Sequence, residues 1–382
     1  MLPKATAVSI ANDILFDILL RMPGRALRRF QCVSKQWCAL LSDPAFLAAH
    51  KSRRPDLLLV DTGYFRGYNE PDLRLRDLSG NVVRVIEGVG GSDILPATSL
   101  DAGLVCVLDH PCKGVHVVDL ATGKVLLSIS GLQVKRQQHE FARCQYETIG
   151  IGRTASSCVY KVVRLVRGDT CQVLTLGADT RWRRRKTRPT NKYFLDRYYS
   201  PITIDGVMYF LTEGASGTLL CFDLEKEQWK VNPIEGPSEF VGAKRWSTIS
   251  VYITELNGFL CLVQEEYDNV RMFPNSHNSS TNIWIMHDCG KGNWTKVYTI
   301  PMSVFGYRYA PYRCMPLRVM HGGEKLLIEY VPRYYYYMER KASFGLYDPH
   351  TKTCTDILPD YLPEKNFLCK LQLEHLASSV NN

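Results

Sequence analysis

Six copies of one hairpin pattern constrain the fold of this chain more than any other feature of its sequence. In five copies an apolar run ends at an Asp, and a second apolar residue follows six positions later; in the remaining copy Leu replaces the Asp. An Asp at this position can bond to turn backbone, while the later residue returns the chain to the sheet. The pairs are Asp77 and Val83, Asp119 and Val125, Leu176 and Trp182, Asp223 and Trp229, Asp288 and Trp294, and Asp348 and Cys354.

The spacing of these copies indicates repeats that contain several strands each. Successive copies lie 42, 57, 47, 65 and 60 residues apart, and β-type runs such as LVCVLD, MYFLT and FLCLV fill the intervals. Repeats of about 40 to 50 residues are typical of propeller blades, although β-sandwiches tolerate similar hairpins. We therefore expect an all-β, propeller-like domain over residues 57–370, with about six blades and with loop insertions in the longer intervals.

The first fifty residues have helical periodicity instead. Apolar residues recur at three- and four-residue spacing and predict a first helix that ends at Pro23-Gly24. Three more short helices follow, and Ser34 and Asp43 are in position to cap the last two. The apolar residues of the first helix are Ile14, Leu15, Ile18, Leu19 and Met22.

A helical unit this small has more apolar surface than it can bury by itself. Phe16 and Leu20 lie away from the stripe that contains Ile14 and Ile18, so the first helix is apolar over more than one face. Surplus apolar surface on a small unit usually marks a partner site. The alternative is that the helices only pack against the β domain.

The stretches DILFDILLRMP, LRRFQCVSKQW and LLSDPAFLAAH resemble the F-box of plant F-box proteins, which joins the Skp adaptor of a ubiquitin ligase. The resemblance implies that ten residues contact the adaptor or pack behind that contact. They are Ile10, Ile14, Leu15, Ile18, Leu19, Pro23, Leu27, Cys32, Val33 and Trp37. The family normally begins with Leu-Pro where this chain has Ile10-Ala11, and the missing proline removes a fixed backbone dihedral. We therefore expect a somewhat weaker hold on the adaptor.

The β domain carries a second resemblance. CQVLTLGADTRWR, ITIDGVMYFLT and LNGFLCLV with IWIMHDCGKGNWTKVYTI are similar to stretches of the F-box-associated (FBA, kelch-like) domain, which binds the protein to be ubiquitinated. The implied function is a non-catalytic substrate-recognition subunit of an SCF-type ubiquitin ligase, with the Skp adaptor, and through it cullin, as partners. The alternatives are an F-box scaffold acting outside ubiquitination and a nucleic-acid-binding propeller.

These patterns together predict an α+β fold with segregated domains, in which a small all-α F-box unit precedes the all-β domain. The expected layout has a tail at 1–8, the F-box at 9–50, a basic linker at 51–56, the β domain at 57–370 and a tail at 371–382.

Two basic regions are candidates for partner binding. The run Arg181–Arg188 holds six basic residues and could be a nuclear signal or a nucleic-acid contact. We favour a third interpretation, a solvated strand end with Trp182 turned inward. A second region combines Tyr with Arg, the residue types that most often anchor protein interfaces, and predicts a target-binding surface. Its candidate residues are Tyr307, Tyr309, Arg333, Tyr335 and Tyr337.

Catalytic, cofactor and metal sites find little support in the sequence. Cys106, His110, Cys112 and His116 are ligand types for zinc, but their spacing fits no common site, and a plain hairpin is the better interpretation. The G-x-G-x-x-A match that begins at Gly150 precedes a strand-like run instead of the helix that a dinucleotide fingerprint needs. We expect no metal, no cofactor and no enzymatic activity.

Cysteine usage and hydropathy indicate the compartment. The thirteen cysteines include no C-x-x-C pair, and many lie inside apolar runs, as reduced buried cysteines do. No stretch approaches the roughly 18 apolar residues of a membrane span. The net charge of +9 is uneven, since residues 1–55 carry nine Lys or Arg against three Asp. We expect a soluble protein of the cytoplasm or nucleus, with no membrane partner and with nucleic acid an unlikely ligand.

Overall fold

A computed structural model of the chain divides it into two compact units, residues 1–57 with 370–382 and residues 58–369. The structure describes residues 12–20, 30, 33–46, 49, 57–62, 72–89, 93–96, 103–109, 114–130, 147–166, 170–178, 181–186, 200–214, 216–242, 247–268, 279–288, 292–305, 311–320, 324–332, 341–357, 362–363 and 367–370.

The first unit contains helices α1 (Asn12–Leu20) and α2 (Lys35–Ser42). The Ser34 hydroxyl accepts a hydrogen bond from the Trp37 N–H at 3.1 Å, which confirms the predicted cap of α2. The carboxylate of Asp43 accepts one from the Ala45 N–H at 2.7 Å, at the start of the short helical stretch 44–46. The predicted helix between Arg25 and Phe30 lies almost entirely outside the described residues.

A small apolar core holds these helices together. Its buried members are Leu15, Leu19, Leu20, Leu41 and Phe46. Two edge-to-face aromatic pairs extend it: the rings of Phe16 and Phe46 lie 5.1 Å apart, and those of Phe30 and Trp37 lie 5.5 Å apart. Phe16 and Leu20, which the sequence marked as surplus apolar surface, therefore contribute to the core of the unit.

The second unit is a six-bladed β-propeller. Each blade is an antiparallel sheet whose main strands follow one another in chain order. The first sheet also includes the last described strand of the chain, and in the last sheet a short extra strand pairs with the third strand. Blade 1 contains β1 (Leu57–Thr62), β2 (Leu73–Arg76) and β3 (Val82–Ile86); blade 2 contains β4 (Asp93–Pro96), β5 (Leu104–Asp109), β6 (Gly114–Asp119) and β7 (Val125–Ser130); blade 3 contains β8 (Glu147–Arg153), β9 (Tyr160–Val166), β10 (Thr170–Thr175) and β11 (Arg183–Arg185).

The remaining blades repeat this arrangement. Blade 4 contains β12 (Ile202–Ile204), β13 (Val207–Leu211), β14 (Leu219–Asp223) and β15 (Gln228–Trp229); blade 5 contains β16 (Ser247–Leu256), β17 (Phe259–Asp268), β18 (Ser280–Asp288) and β19 (Asn293–Pro301); blade 6 contains β20 (Pro311–Met320), β21 (Lys325–Pro332), β22 (Lys341–Asp348), β23 (Thr353–Asp356) and β24 (Leu362–Pro363). Short 3-10 helices occupy Ser238–Gly242 and Met302–Phe305.

Strands from the two ends of the β domain share one blade. The opening strands of blades 2 to 6 contact one another in sequence, from β4 through β8, β12 and β16 to β20. In blade 1 the corresponding position belongs to β25 (Phe367–Lys370), which lies beside β1 at the edge of that sheet. Blade 1 thus combines strands from both ends of the β domain.

The six sequence copies are the six hairpins between the third and fourth strands of the blades. Asp77, Asp119, Asp223 and Asp348 accept hydrogen bonds from backbone N–H groups of their turns at 2.9 Å. The residue that follows six positions after the Asp returns to the sheet, as where Trp229 pairs with Phe222 and Cys354 with Tyr347. The expectation of about six blades is confirmed, because each copy corresponds to one blade.

Candidate adaptor and target surfaces

Helix α1 presents two of the predicted adaptor residues to solvent. Ile14 is 58% exposed and Ile18 is 45% exposed, and their four-residue spacing places them on one face of the helix. Val33, which precedes the Ser34 cap, is 61% exposed. Exposed Ile and Val side chains on a unit whose core is already formed are the residues that a partner protein can cover.

Other predicted adaptor residues lie behind this surface. Leu15 and Leu19 are 6% and 1% exposed and belong to the core of the helical unit, and Trp37 packs against that core half-buried. The structure therefore separates the predicted stripe into an outer pair, Ile14 and Ile18, and an inner pair, Leu15 and Leu19. Ile10, Pro23, Leu27 and Cys32 lie outside the described residues, as does Ala11.

The predicted target residues Tyr307, Tyr309, Arg333, Tyr335 and Tyr337 also lie outside the described residues. The strands that flank them are described. Pro311, the first residue of β20, pairs with Pro332, the last residue of β21. The two sequence segments that carry the candidate tyrosines therefore join blade 6 at paired positions of neighbouring strands.

Two arginines of the basic run 181–188 form ion pairs between blades 3 and 4. Arg183 and Arg185 on β11 both pair with the carboxylate of Glu227 on blade 4, Arg183 at 2.6 Å. Lys161 on β9 pairs with the same carboxylate at 2.9 Å and also donates to the Leu224 carbonyl at 2.7 Å. Three cations of blade 3 thus meet one carboxylate that is only 9% exposed.

This arrangement changes the acidity of Glu227. Burial by itself would raise the pKa of its carboxyl group, but hydrogen bonds from Lys161, Arg185 and Arg183 outweigh burial and lower the pKa. Glu227 has a φ of +53°, in the left-handed region, within the turn between β14 and β15. Sequence reasoning missed this residue because nothing in a single Glu in a turn predicts three partners on another repeat.

Trp182, within the same run, is turned inward as predicted. Its indole packs against the core between blades 2 and 3, and the Arg164 guanidinium lies 5.8 Å from the centre of its rings. Leu176, the residue that replaces Asp in this copy of the hairpin, packs against the same core. The interpretation of 181–188 as a strand end with an inward Trp agrees with these contacts over the described residues 181–186.

A second buried carboxylate links blades 5 and 6. Glu265 on β17 is 1% exposed and accepts hydrogen bonds from the Cys314 N–H on β20, at 2.6 Å, and from the Tyr252 hydroxyl. Sequence reasoning missed it as well, because Glu265 stands in an acidic pair that reads as a solvated strand end. Both carboxylates lie at blade junctions, so their geometry supports a structural role.

The two candidate zinc ligands that lie within the described residues do not converge. Cys106 pairs with Val117 and His116 pairs with Val107, so Cys106 and His116 point to opposite faces of the blade 2 sheet. His110 and Cys112 lie outside the described residues. Within the part of the chain that the structure describes, no group of three or more His, Cys, Asp or Glu residues is placed to hold a metal ion.

Packing between blades explains the glycines of the G-x-G-x-x-A match that begins at Gly150. Gly150 and Gly152 lie within strand β8, not before a helix. A Cβ atom on Gly152 would collide with the Thr203 side chain on blade 4, and one on Gly150 would collide with Pro201. These glycines let neighbouring blades approach each other closely.

The described cysteines are free thiols. Cys106, Cys171, Cys221, Cys261 and Cys314 are buried, as their apolar surroundings predicted. Burial raises the pKa of Cys171 and of Cys354 to about 12, so both thiols stay protonated and unreactive. Among the described helices, none has the length and hydropathy to cross a membrane.

Two sequence profiles match this chain. The profile of the F-box domain matches residues 9–48, and the profile of the F-box associated beta propeller domain matches residues 157–373. The first match covers helices α1 and α2, and the second covers most of blade 3 and blades 4 to 6.

Relatives in Arabidopsis thaliana align over most of the chain. The putative F-box protein At3g10240 is 25% identical over 368 residues, which is 92% of this chain and 85% of the relative. The putative F-box protein At3g52320 is 25% identical over 319 residues, 78% of this chain and 75% of the relative. The putative F-box protein At1g33020 is 24% identical over 336 residues, and this chain spans about half of its length, with 55% covered.

Solved structures are similar only at a coarse level. The β-propeller domain of Cps50 (Swd1) from Myceliophteria thermophila is 10% identical with a TM-score of 0.40, over 79% of this chain and 88% of that one. AztD from Citrobacter koseri is 9% identical with a TM-score of 0.39, over 82% and 97%. The architecture described above follows from the strand order of this chain itself.

Proposed function

Because this chain belongs to the plant F-box proteins that carry an F-box associated β-propeller domain, we propose that it is the substrate-recognition subunit of an SCF-type ubiquitin ligase. The helical unit binds a Skp-type adaptor, and through it cullin, while the propeller binds the protein to be ubiquitinated. F-box proteins generally act as non-catalytic adaptors. The contribution of this chain to the reaction is therefore proximity, which holds the target near chemistry supplied by another subunit.

The observation that carries the proposal is the exposed apolar pair on α1. Ile14 and Ile18 take no part in the core of the helical unit, which Leu15, Leu19 and Phe46 fill from the other side of the helix. Because each side chain is only about half exposed, covering the remainder on binding contributes roughly 1 kcal/mol each. Val33 adds a third exposed apolar side chain to the same unit.

The target contact is proposed on the propeller. Tyr307, Tyr309, Arg333, Tyr335 and Tyr337 remain the proposed anchors, supported by the pairing of Pro311 with Pro332, which brings the flanking strands together.

Reduced, unreactive thiols such as Cys171 are compatible with the proposed location in the cytoplasm or nucleus.

The test of the adaptor contact is the double substitution Ile14→Asp/Ile18→Asp in the full chain. A carboxylate in place of either side chain would lose its water on binding without gaining a partner, so adaptor affinity should fall roughly 100-fold or more. The measurement is co-purification with the adaptor, followed by titration of the purified proteins.

A matched control comes from the propeller. Leu126 on β7 is 49% exposed, so Leu126→Asp makes the same chemical change on an exposed apolar side chain of the other unit and should leave adaptor binding intact. Undiminished adaptor binding by the double variant would refute the proposed contact. Adaptor binding without cullin-dependent turnover of any target would instead favour a scaffold outside ubiquitination.

A further inference from the structure

Charge is distributed very unevenly between two neighbouring blades. Residues 147–186, which span blade 3, include nine Lys or Arg against three acidic residues. Residues 200–242, which span blade 4, include seven acidic residues against two Lys. The positive surplus of the propeller is therefore concentrated in one blade, and an acidic blade lies on one side of it.

The cations of the outer strand β11 fall into two sets because side chains alternate along a strand. Arg183 pairs with Val173 and Arg185 with Cys171, so these two arginines share one face, the face toward Glu227 of blade 4. Arg184 pairs with Gln172 and points to the opposite face. Glu227 therefore forms ion pairs with Arg183 and Arg185, and Arg184 has no ion pair among the described residues.

Arg184 and Lys186, two positions apart, form the second set, and both are solvent-exposed. Arg181, which precedes the strand, is exposed as well. No hydrogen bond or ion pair of these three side chains occurs among the described residues. All three lie within or beside β11, which is the edge strand of its sheet and pairs only with β10 in the described part of the chain. An edge strand also has backbone N–H and C=O groups that face outward.

We propose that this basic edge, formed by Arg184 on the outer strand of blade 3 with Arg181 and Lys186 beside it, docks a short acidic segment of the target protein. The proposal rests on the proposed function, since it assumes that the propeller holds a target. An extended segment rich in Asp or Glu matches these cations in charge, and its backbone can run beside the outer edge of β11.

Two observations favour an acidic protein segment over nucleic acid. Recognition of single strands needs aromatic side chains on which bases stack, and Trp182, the aromatic residue of the run, is committed to the core between blades 2 and 3. A long phosphate backbone that follows blade 3 would also approach the acidic blade 4, where Glu213 and Glu239 are exposed. A short acidic segment avoids both difficulties.

The experiment measures binding of a fluorescent poly-glutamate peptide to the full chain by anisotropy. The test variant is Arg181→Ala/Arg184→Ala/Lys186→Ala, which leaves Arg183, Arg185 and their contacts with Glu227 in place. The control variant is Lys226→Ala/Lys230→Ala, which removes two exposed cations from blade 4. We expect the test variant to bind about tenfold more weakly, since three exposed ion pairs are lost, and the control variant to bind like the wild type.

Two further measurements test the proposal: binding at higher ionic strength and binding of a single-stranded nucleic acid. Raising the ionic strength from about 0.05 M to about 0.5 M should weaken binding to the wild type and narrow its difference from the test variant. Equal affinity of the wild type and the test variant at low salt would overturn the proposal. Tighter binding of single-stranded oligo-uridine than of poly-glutamate would also overturn it, in favour of nucleic acid.

Adaptor co-purification, measured on the same preparations, separates this inference from the proposed function. Retained adaptor binding with no poly-glutamate binding overturns the acidic-segment proposal and leaves the ligase assignment standing. Loss of the adaptor from the wild-type protein overturns the ligase assignment itself.

Discussion

The outer face of α1 and the outer edge of blade 3 are both exposed, but the first is apolar and the second is positively charged. The two surfaces therefore suit partners of different chemistry. Ile14 and Ile18 are apolar side chains left over after Leu15 and Leu19 complete a core. Arg184 is a cation left over after its two neighbours pair with Glu227. An apolar contact is driven by burial and is little affected by salt, whereas a contact between exposed charges is weak and screened. The contrast fits the proposed adaptor contact at α1 and a weaker, salt-sensitive proposed target contact at blade 3.

The largest expected effect separates the two faces of α1. Leu19→Asp would place an unpaired carboxylate where the side chain is 1% exposed, which should cost several kcal/mol and unfold the helical unit. Ile18→Asp, one position away on the exposed face, should leave the unit folded. Limited proteolysis of the full chain measures the difference: the helical unit of the Leu19 variant should be cleaved rapidly and that of the Ile18 variant slowly.

Loss of adaptor binding therefore has a different meaning at each position. In the Ile18 variant it reports on the contact, and in the Leu19 variant it reports on folding. Equal protease resistance of the two variants would show that the division of α1 into inner and outer faces is wrong.

The sequence allowed much of the fold to be predicted, because the informative patterns are local. The Asp of each hairpin and the residue six positions later lie within one turn, so their spacing alone identified all six blades, and the family resemblance is confirmed by the profile matches. Periodicity placed Leu19 and Ile18 in one apolar stripe but could not tell which of them faces inward. That depends on Leu41 and Phe46, which lie in other parts of the unit.

Contacts between repeats were beyond sequence reasoning for the same physical reason. Glu227 meets Lys161, Arg183 and Arg185 across a blade junction, and the partners are more than forty residues away in the chain. The sequence therefore predicted a basic strand end at 181–188 without predicting which of its arginines are neutralised. The distinction between used and unused cations, on which the acidic-segment proposal depends, required the register of β10 and β11.

The next largest effect tests the three cations that form ion pairs with Glu227. Glu227→Gln would keep the shape of the side chain but leave Lys161, Arg183 and Arg185 without their common anion. We expect the free energy of unfolding to fall by about 2 kcal/mol, less than for a fully buried pair because both arginines are about one-third exposed. Urea unfolding at neutral pH, followed by tryptophan fluorescence, measures the change.

The pH dependence of this difference has a definite sign. The folded state lowers the pKa of Glu227 below its ordinary value of 4.5, so the folded protein binds this proton less readily than the unfolded chain does. The stability that the carboxylate provides is therefore complete above about pH 4.5 and is lost as the pH falls through the lowered pKa. The gap between the wild type and Glu227→Gln should narrow on acidification below pH 4.5. A gap that stays constant would contradict the assigned ion-pair cluster.

The smallest effect concerns the local structure that supports the apolar surface. Ser34→Ala removes the acceptor for the Trp37 N–H at the start of α2, which should lower the stability of the helical unit by about 1 kcal/mol. Ser42→Ala, at the other end of the same helix, removes an exposed hydroxyl with no capping role and should leave stability unchanged or slightly higher. Hydrogen exchange of α2 amides in the full chain reports both changes. Because Ile14 and Ile18 remain in place, adaptor affinity should fall in Ser34→Ala only as far as the unit unfolds, and a loss as large as that of Ile14→Asp/Ile18→Asp would mean that the cap itself lies in the adaptor contact.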